Sequence, residues 1–191
     1  MSGGGRPAEA VTPRLPAVSG RRGLAHLSWL VATLALAACA APQPRPVAGE
    51  VAFVIVRHAE KADAGSDPAL SAAGQARATV LARRLARVNL VAIYTTDFRR
   101  TRDTVGPVAT AQGLAAIVYD AHTSASVLAS RLKAAHHEGT VLVAGHSNTV
   151  PDIVAALCEC EVAPMTEAEF DRISTVRIDA RGQAQLDTGR Y

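Results

Sequence analysis

The sequence predicts an α/β fold, a three-layer α/β/α sandwich around a mostly parallel sheet, on three observations. The run Val51-Ala-Phe-Val-Ile-Val56 is apolar throughout, a second such run closes at Ala144, and segments of helical periodicity alternate with these and with weaker strand-like stretches. Continuous β-branched runs belong to strands buried on both faces, as in a sheet covered by helices on each side. Strands that alternate with helices favour parallel pairing, because each helix carries the chain back across the sheet.

The elements follow in order. After the first strand and a polar loop over residues 57 to 70, Ser71 reads as the N-cap of a helix that presents Val80, Leu81, Leu85 and Val88 on one side. A short strand is predicted over Val91 to Thr95. The helix after it runs from Arg99 to Gln112 and is ended by Gly113. Ala115 to Tyr119 is strand-like, and Ser126 to His137 is helical with Gly139 as its stop. Val141 to Ala144 is a buried strand, followed by a helix through Ile153 to Leu157. Ile173 to Ile178 alternates and meets Arg181-Gly182, a turn leading to a last short strand.

What precedes residue 50 differs in kind. Leu24 to Ala38 is apolar, follows the basic pair Arg21-Arg22 and contains no acidic residue. This is the pattern of an export signal, and at about 15 residues it falls short of the roughly 20 that cross a bilayer as a helix. Its end, Leu36-Ala-Ala-Cys39, resembles the lipobox of bacterial lipoproteins, in which a peptidase cuts before an acylated cysteine. The competing readings are an ordinary secretory signal cleaved near Ala38 to Ala41, and a twin-arginine signal at Arg21-Arg22 in a poor context. Residues 1–39 are therefore expected to be a lipoprotein-type signal peptide, residues 40–49, with prolines at 42, 44 and 46, an extended tether, and residues 50–191 one folded domain. The expectation is an exported periplasmic or cell-envelope lipoprotein, anchored through Cys39.

The whole chain carries 20 Lys and Arg against 17 Asp and Glu, but residues 1–39 hold four of the arginines and one glutamate, which leaves 16 of each sign. A balanced domain of this kind gives no electrostatic case for nucleic-acid binding, so any cationic site must be local. Cys158 and Cys160 are too few to build a zinc site; they are either a local disulfide or two small residues near a helix end. His122, His136, His137 and Glu138 do not read as a metal set either, since neighbouring residues point apart and cations near a helix end suit its dipole.

Three clusters each close a strand or open a helix. Arg57-His58-Ala59-Glu60-Lys61 follows the first strand, where a charged group is costly unless it is hydrogen-bonded or near water. Thr95-Thr96-Asp97-Phe98-Arg99-Arg100-Thr101 through Thr104 sits where a helix starts, a place that already favours an anion and to which arginines add planar donors. Gly145-His146-Ser147 follows the buried strand ending at Ala144, with Gly145 read as permitting a tight turn. Ligands of open α/β sheets bind beyond the carboxyl ends of the strands, where both histidines fall.

These clusters, in this order, resemble the histidine phosphatase (phosphoglycerate mutase-like) superfamily from about Val51 to Ile178, including Asp67-Pro68 and Leu70-Ser-Ala-Ala-Gly74 at the first helix. The resemblance implies that the neutral ring of His58 attacks phosphorus and forms a phosphohistidine, which water hydrolyses without metal or cofactor. It also implies that Arg57, Arg100 and His146 hold the phosphoryl oxygens, with His146 protonated beside the dianion. The proton donor for the leaving group is not fixed by the motif. Asp120, at the end of a strand on the same edge, is the candidate, against an Asx-turn reading, with Glu60 and Asp63 as alternatives. If none serves, substrates with good leaving groups, such as phosphohistidine or aryl phosphates, are favoured. The expected partner is a small phosphorylated substrate; the rival readings are a non-catalytic envelope protein that binds phosphorylated ligands and a mutase-type phosphotransferase. The short domain leaves little room for the long loops that a mutase uses to exclude water.

Overall fold

A computed structural model describes residues 49–191, so the expected signal peptide, Cys39 and nearly all of the tether lie outside the described residues. Six strands and four helices follow one another as β1 (Val51–Arg57), α1 (Ala72–Leu85), β2 (Leu90–Thr96), α2 (Arg99–Gln112), β3 (Ala116–Tyr119), α3 (Ala125–Ala135), β4 (Gly139–Gly145), α4 (Val150–Cys158), β5 (Arg172–Ile178) and β6 (Ala184–Arg190). They form one sheet in the order β3-β2-β4-β1-β5-β6.

The first four strands pair parallel, and β5 then pairs antiparallel with both β1 and β6. The sheet is thus mixed, with β5 as the one reversed strand. The apolar run of β1 is buried along its whole length because it is central and covered twice. Val51, Phe53 and Ile55 pack with Leu128, Leu132, Ile153 and Leu157 of α3 and α4. Val54 and Val56 face the other way, onto Leu81 and Leu85 of α1 and Val105 and Val108 of α2. Each such side chain contributes about 1.5–3 kcal/mol by leaving water.

This arrangement places the site. The chain leaves β1 toward the face covered by α1, whereas it leaves the adjacent β4 toward the face covered by α4. A crevice opens between two neighbouring parallel strands whose connections diverge.

Most elements lie where the sequence puts them, with local corrections. Ser71 does cap α1, its side chain accepting from the Gly74 N–H at 3.1 Å, and Gly113 ends α2 in the left-handed region at φ 65°. Val80 is exposed, and the buried stripe of α1 is Gly74, Ala78, Leu81 and Leu85 instead. α3 stops at Ala135, two residues early, and Gly139 is the first residue of β4, paired with Val51, rather than a helix stop. His136 is not a cation on the helix dipole: it caps α3, its Nε2 lies 3.0 Å from the Tyr94 hydroxyl, and burial together with His137 lowers its pKa. Cys158 and Cys160, left open by the sequence, are joined as a disulfide with Cα atoms 5.2 Å apart. No helix among the described residues is long and apolar enough to cross a membrane.

Candidate active site

β1 and β4 run in register, so Arg57 at the end of one pairs with Gly145 at the end of the other. The His58 N–H donates to the Gly145 carbonyl at 2.9 Å, which carries the pairing one residue past the strand. His58 and His146 therefore emerge side by side, with ring centroids 5.4 Å apart at 62°. Gly145 has no unusual backbone angle, but a Cβ there would lie 3.0 Å from Thr149 Oγ1 and 3.2 Å from a Val150 methyl, close enough that these side chains would have to give by a few tenths of an ångström.

The His58 ring is oriented by its own loop. Nδ1 lies 2.8 Å from the Ala59 carbonyl, which can only accept, so Nδ1 carries the proton and Nε2 keeps its lone pair. The Ala59 N–H donates in turn to Thr104 Oγ1 at 2.9 Å, and that hydroxyl donates to the Arg100 carbonyl at 2.7 Å. α2 thereby fixes the loop that carries His58. Burial, and then the neighbouring charges of Arg57, His146 and Arg100, lower the His58 pKa to about 4 even though its bond to Ala59 acts the other way. At neutral pH it is a neutral imidazole with a free nitrogen, the state a nucleophile needs.

His146 is held from behind by hydroxyls. Its Nε2 lies 3.1 Å from Thr96 Oγ1, which is 2.7 Å from Thr101 Oγ1, and Thr101 donates to the Phe98 carbonyl at 2.7 Å. A chain running in that direction puts the proton on Nε2 and leaves Nδ1 to accept from Arg100 Nη2, at 3.4 Å. Burial, Arg100 and Arg57 lower its pKa to about 4 as well. The protonated state expected from sequence is thus not that of the free site; it requires an anion nearby, whose charge favours the imidazolium.

Both arginines reach the same crevice, each on an aromatic face. The Arg57 guanidinium lies 4.0 Å from the Phe170 ring centre and that of Arg100 lies 4.2 Å from Phe98. Burial lowers the pKa of each, a sign that their charge is poorly solvated. Arg57 is also committed elsewhere. Its Nη1 donates to the carbonyls of Thr166, Glu167 and Glu169 at 2.9–3.1 Å, and its Nη2 donates to the Glu167 carboxylate at 2.9 Å. The Nε atoms of both arginines are buried without a partner among the described residues.

The crevice is an open cleft of about 290 Å³, lined by Arg57, His58, Arg100 and His146 and also by Lys61, Phe98, His122, Ser147 and Glu167. Asp120 does not line it. That residue borders an adjoining cleft with Asp97 and Val118, and its carboxylate accepts the His122 N–H at 2.9 Å, the Asx-turn geometry. Glu60 is held away by the Arg77 guanidinium at 2.6–3.0 Å, and Asp63 accepts the Gly65 N–H. Asp67 accepts the Arg99 N–H at 2.7 Å and so takes the first donor of α2. Among the described residues no group of three or more His, Cys, Asp or Glu is placed to hold a metal.

Sequence reasoning missed Phe98, Phe170 and Glu167. The first was visible inside a quoted cluster but carried no polar signal; the other two come from an irregular segment about 110 residues from Arg57 with no motif of its own.

Residues 53–123 match the histidine phosphatase superfamily (branch 1). The match begins inside β1, runs through β3 and so includes Arg57, His58 and Arg100. Among solved structures, the protein histidine phosphatase SixA complexed with tungstate is similar at 26% identity, over 73% of this chain and 96% of that one, with a TM-score of 0.63. A mycobacterial glucosyl-3-phosphoglycerate phosphatase is similar at 16% identity, over 74% of this chain and 99% of that one, with a TM-score of 0.60. That second likeness concerns the fold, which is phosphoglycerate mutase-like. No curated protein matches the sequence.

The depressed histidine pKa values have a measurable sign. Because the unfolded chain binds protons on these rings near pH 6.5 and the folded chain only near pH 4, stability is full above 6.5 and is lost as the pH falls through that window. Ring-proton titration by NMR is expected to show both His58 and His146 neutral at pH 6, with His146 moving upward when tungstate is added. Midpoints near 6.5 for both rings would contradict this geometry.

Proposed function

We propose that this protein is a phosphatase that works through a phosphohistidine on His58. The observation that carries the reading is the convergence of a neutral imidazole, with its Nε2 free, and two poorly solvated guanidinium groups on one cleft. His58 Nε2 attacks phosphorus; Arg57, Arg100 and His146 take the phosphoryl oxygens; water then hydrolyses the phosphohistidine. In phosphoryl transfer, positioning and charge stabilisation supply most of the catalysis.

The leaving group narrows the substrate class. Asp120, Glu60 and Asp63 each have their carboxylate engaged outside the cleft, and Glu167, which does line it, has its pKa lowered by the Ser147 hydroxyl and Arg57. With no carboxylic acid among the described residues poised to protonate an alkoxide, substrates that leave without help are favoured: aryl phosphates and phosphoryl groups on nitrogen. The similarity to a protein histidine phosphatase points the same way.

The test is incubation of the full chain with p-nitrophenyl phosphate in chelator, followed by rapid quenching. Phosphate release and an acid-labile, alkali-stable phosphoryl adduct are expected, and His58→Ala is expected to lose the adduct and about three or more orders of magnitude in turnover. An alkyl phosphate is expected to react far more slowly than the aryl ester. Near-normal turnover in His58→Ala overturns the mechanism, and tight phosphate binding without release favours a binding protein.

For the N-terminus we propose export with lipid attachment at Cys39, which rests on the sequence pattern of residues 21–39. Expression of the full chain in a bacterial host, with detergent phase partitioning, is expected to place the protein in the detergent phase and Cys39→Ser in the aqueous phase. Aqueous recovery of both forms contradicts acylation.

A further inference from the structure

We propose that Glu167 sets the leaving-group selectivity of the cleft: its carboxylate, bridging Arg57 and Ser147, favours phosphoryl groups carried on a protonated amine or a protonated imidazole ring over phosphate esters. This rests on the phosphatase reading above and adds to it a residue that discriminates between substrates.

Three observations motivate it. Glu167 is the one carboxylate among the described residues lining a cleft whose other charged side chains are Arg57, Lys61 and Arg100. Its Oε2 accepts from Arg57 Nη2 at 2.9 Å and its Oε1 from Ser147 Oγ at 2.5 Å, so it spans the walls that follow β1 and β4. The fold does not need it there. Arg57 Nη1 already anchors the turn through the backbone carbonyls of Thr166, Glu167 and Glu169, which any side chain at position 167 would leave in place.

Stability does not explain it either. The Glu167 side chain is 84% exposed, and an ion pair with so exposed a partner contributes little. The Ser147 hydroxyl and the charge of Arg57 hold its pKa below the ordinary range, so it is ionised at neutral pH. A negative charge at the mouth of a phosphate site repels the dianion of a simple ester and competes for Arg57. The same charge attracts a leaving group that brings an N–H donor or a positive charge, and it raises the pKa of that nitrogen, which keeps it protonated.

The chemistry balances without a separate acid. His58 Nε2 forms the new P–N bond as the substrate's P–N bond breaks, and that electron pair stays on the departing nitrogen. Because the departing group already holds its proton, it leaves as a neutral amine or imidazole. Water then attacks phosphorus, the His58 ring recovers its electron pair, and both water protons depart with inorganic phosphate.

The experiment compares kcat/KM for phosphoramidate, whose nitrogen is protonated at neutral pH, with that for p-nitrophenyl phosphate, in the full chain and in Glu167→Gln. The ratio of phosphoramidate to ester is expected to fall by about tenfold or more, which corresponds to about 1.4 kcal/mol of discrimination. Tungstate, as a competitive inhibitor, is expected to bind several-fold more tightly to the variant. Glu167→Asp is expected to restore part of the ratio, and Glu167→Ala, which keeps the backbone anchors of Arg57, to reproduce the loss. An equal change for both substrates, or none, overturns the role of Glu167 while the phosphatase reading stands. Absence of turnover and of any adduct with the unaltered chain overturns both.

Discussion

The in-register parallel pairing of β1 with β4 is the constraint on which the site depends. Arg57 opposite Gly145, followed by the bond from the His58 N–H to the Gly145 carbonyl, sets two histidines 88 positions apart in the chain beside each other. A slip of one residue in either strand would send one imidazole toward the opposite face of the sheet, since side chains alternate along a strand. The fully apolar sequence of both strands does not by itself fix that register. At the end of the pair, the His58 N–H to Gly145 carbonyl bond belongs to the observed register alone.

Around that pair the structure accepts a local cost. Two guanidinium groups and two imidazoles share one cleft, and burial lowers the pKa of all four. Phenylalanines 98 and 170 lie against the arginines and offer their charge a π face in place of water. Threonines 96, 101 and 104 fix ring orientation and loop position through hydrogen bonds that leave the reactive edge of His58 unengaged. Two largely buried guanidinium groups beside two neutral imidazoles are hard to explain by stability and are suited to an oxyanion. Glu167 and Asp67 moderate it from the rim, one on Arg57 and the other 4.0 Å from Arg100.

Much of this was legible in the sequence, for identifiable reasons. The buried strands announce themselves because an apolar run of that length has no place outside a covered sheet, and His58 and His146 fall at the strand ends that topology turns into a crevice. Ser71 and Gly113 are visible because capping is local. The reversed direction of β5 is not, since pairing partners depend on contacts across more than 100 residues. Val80 looks buried by composition but falls off the stripe formed by Ala78, Leu81 and Leu85. Asp120 sits on the expected edge, yet its side chain turns back to the His122 N–H, a choice made by loop geometry. Glu167 at the cleft and Phe170 against Arg57 come from an irregular segment that Arg57 holds through its backbone carbonyls, and no periodicity marks it.

The most direct measurement of the central claim is an experimental structure of the protein with tungstate bound. The account predicts one tetrahedral anion with His58 Nε2 at its face, oxygens within hydrogen-bond distance of Arg57 and Arg100, and Nδ1 of His146 turned to donate. An anion bound elsewhere, or one that leaves His58 and His146 on separate sites, would contradict it.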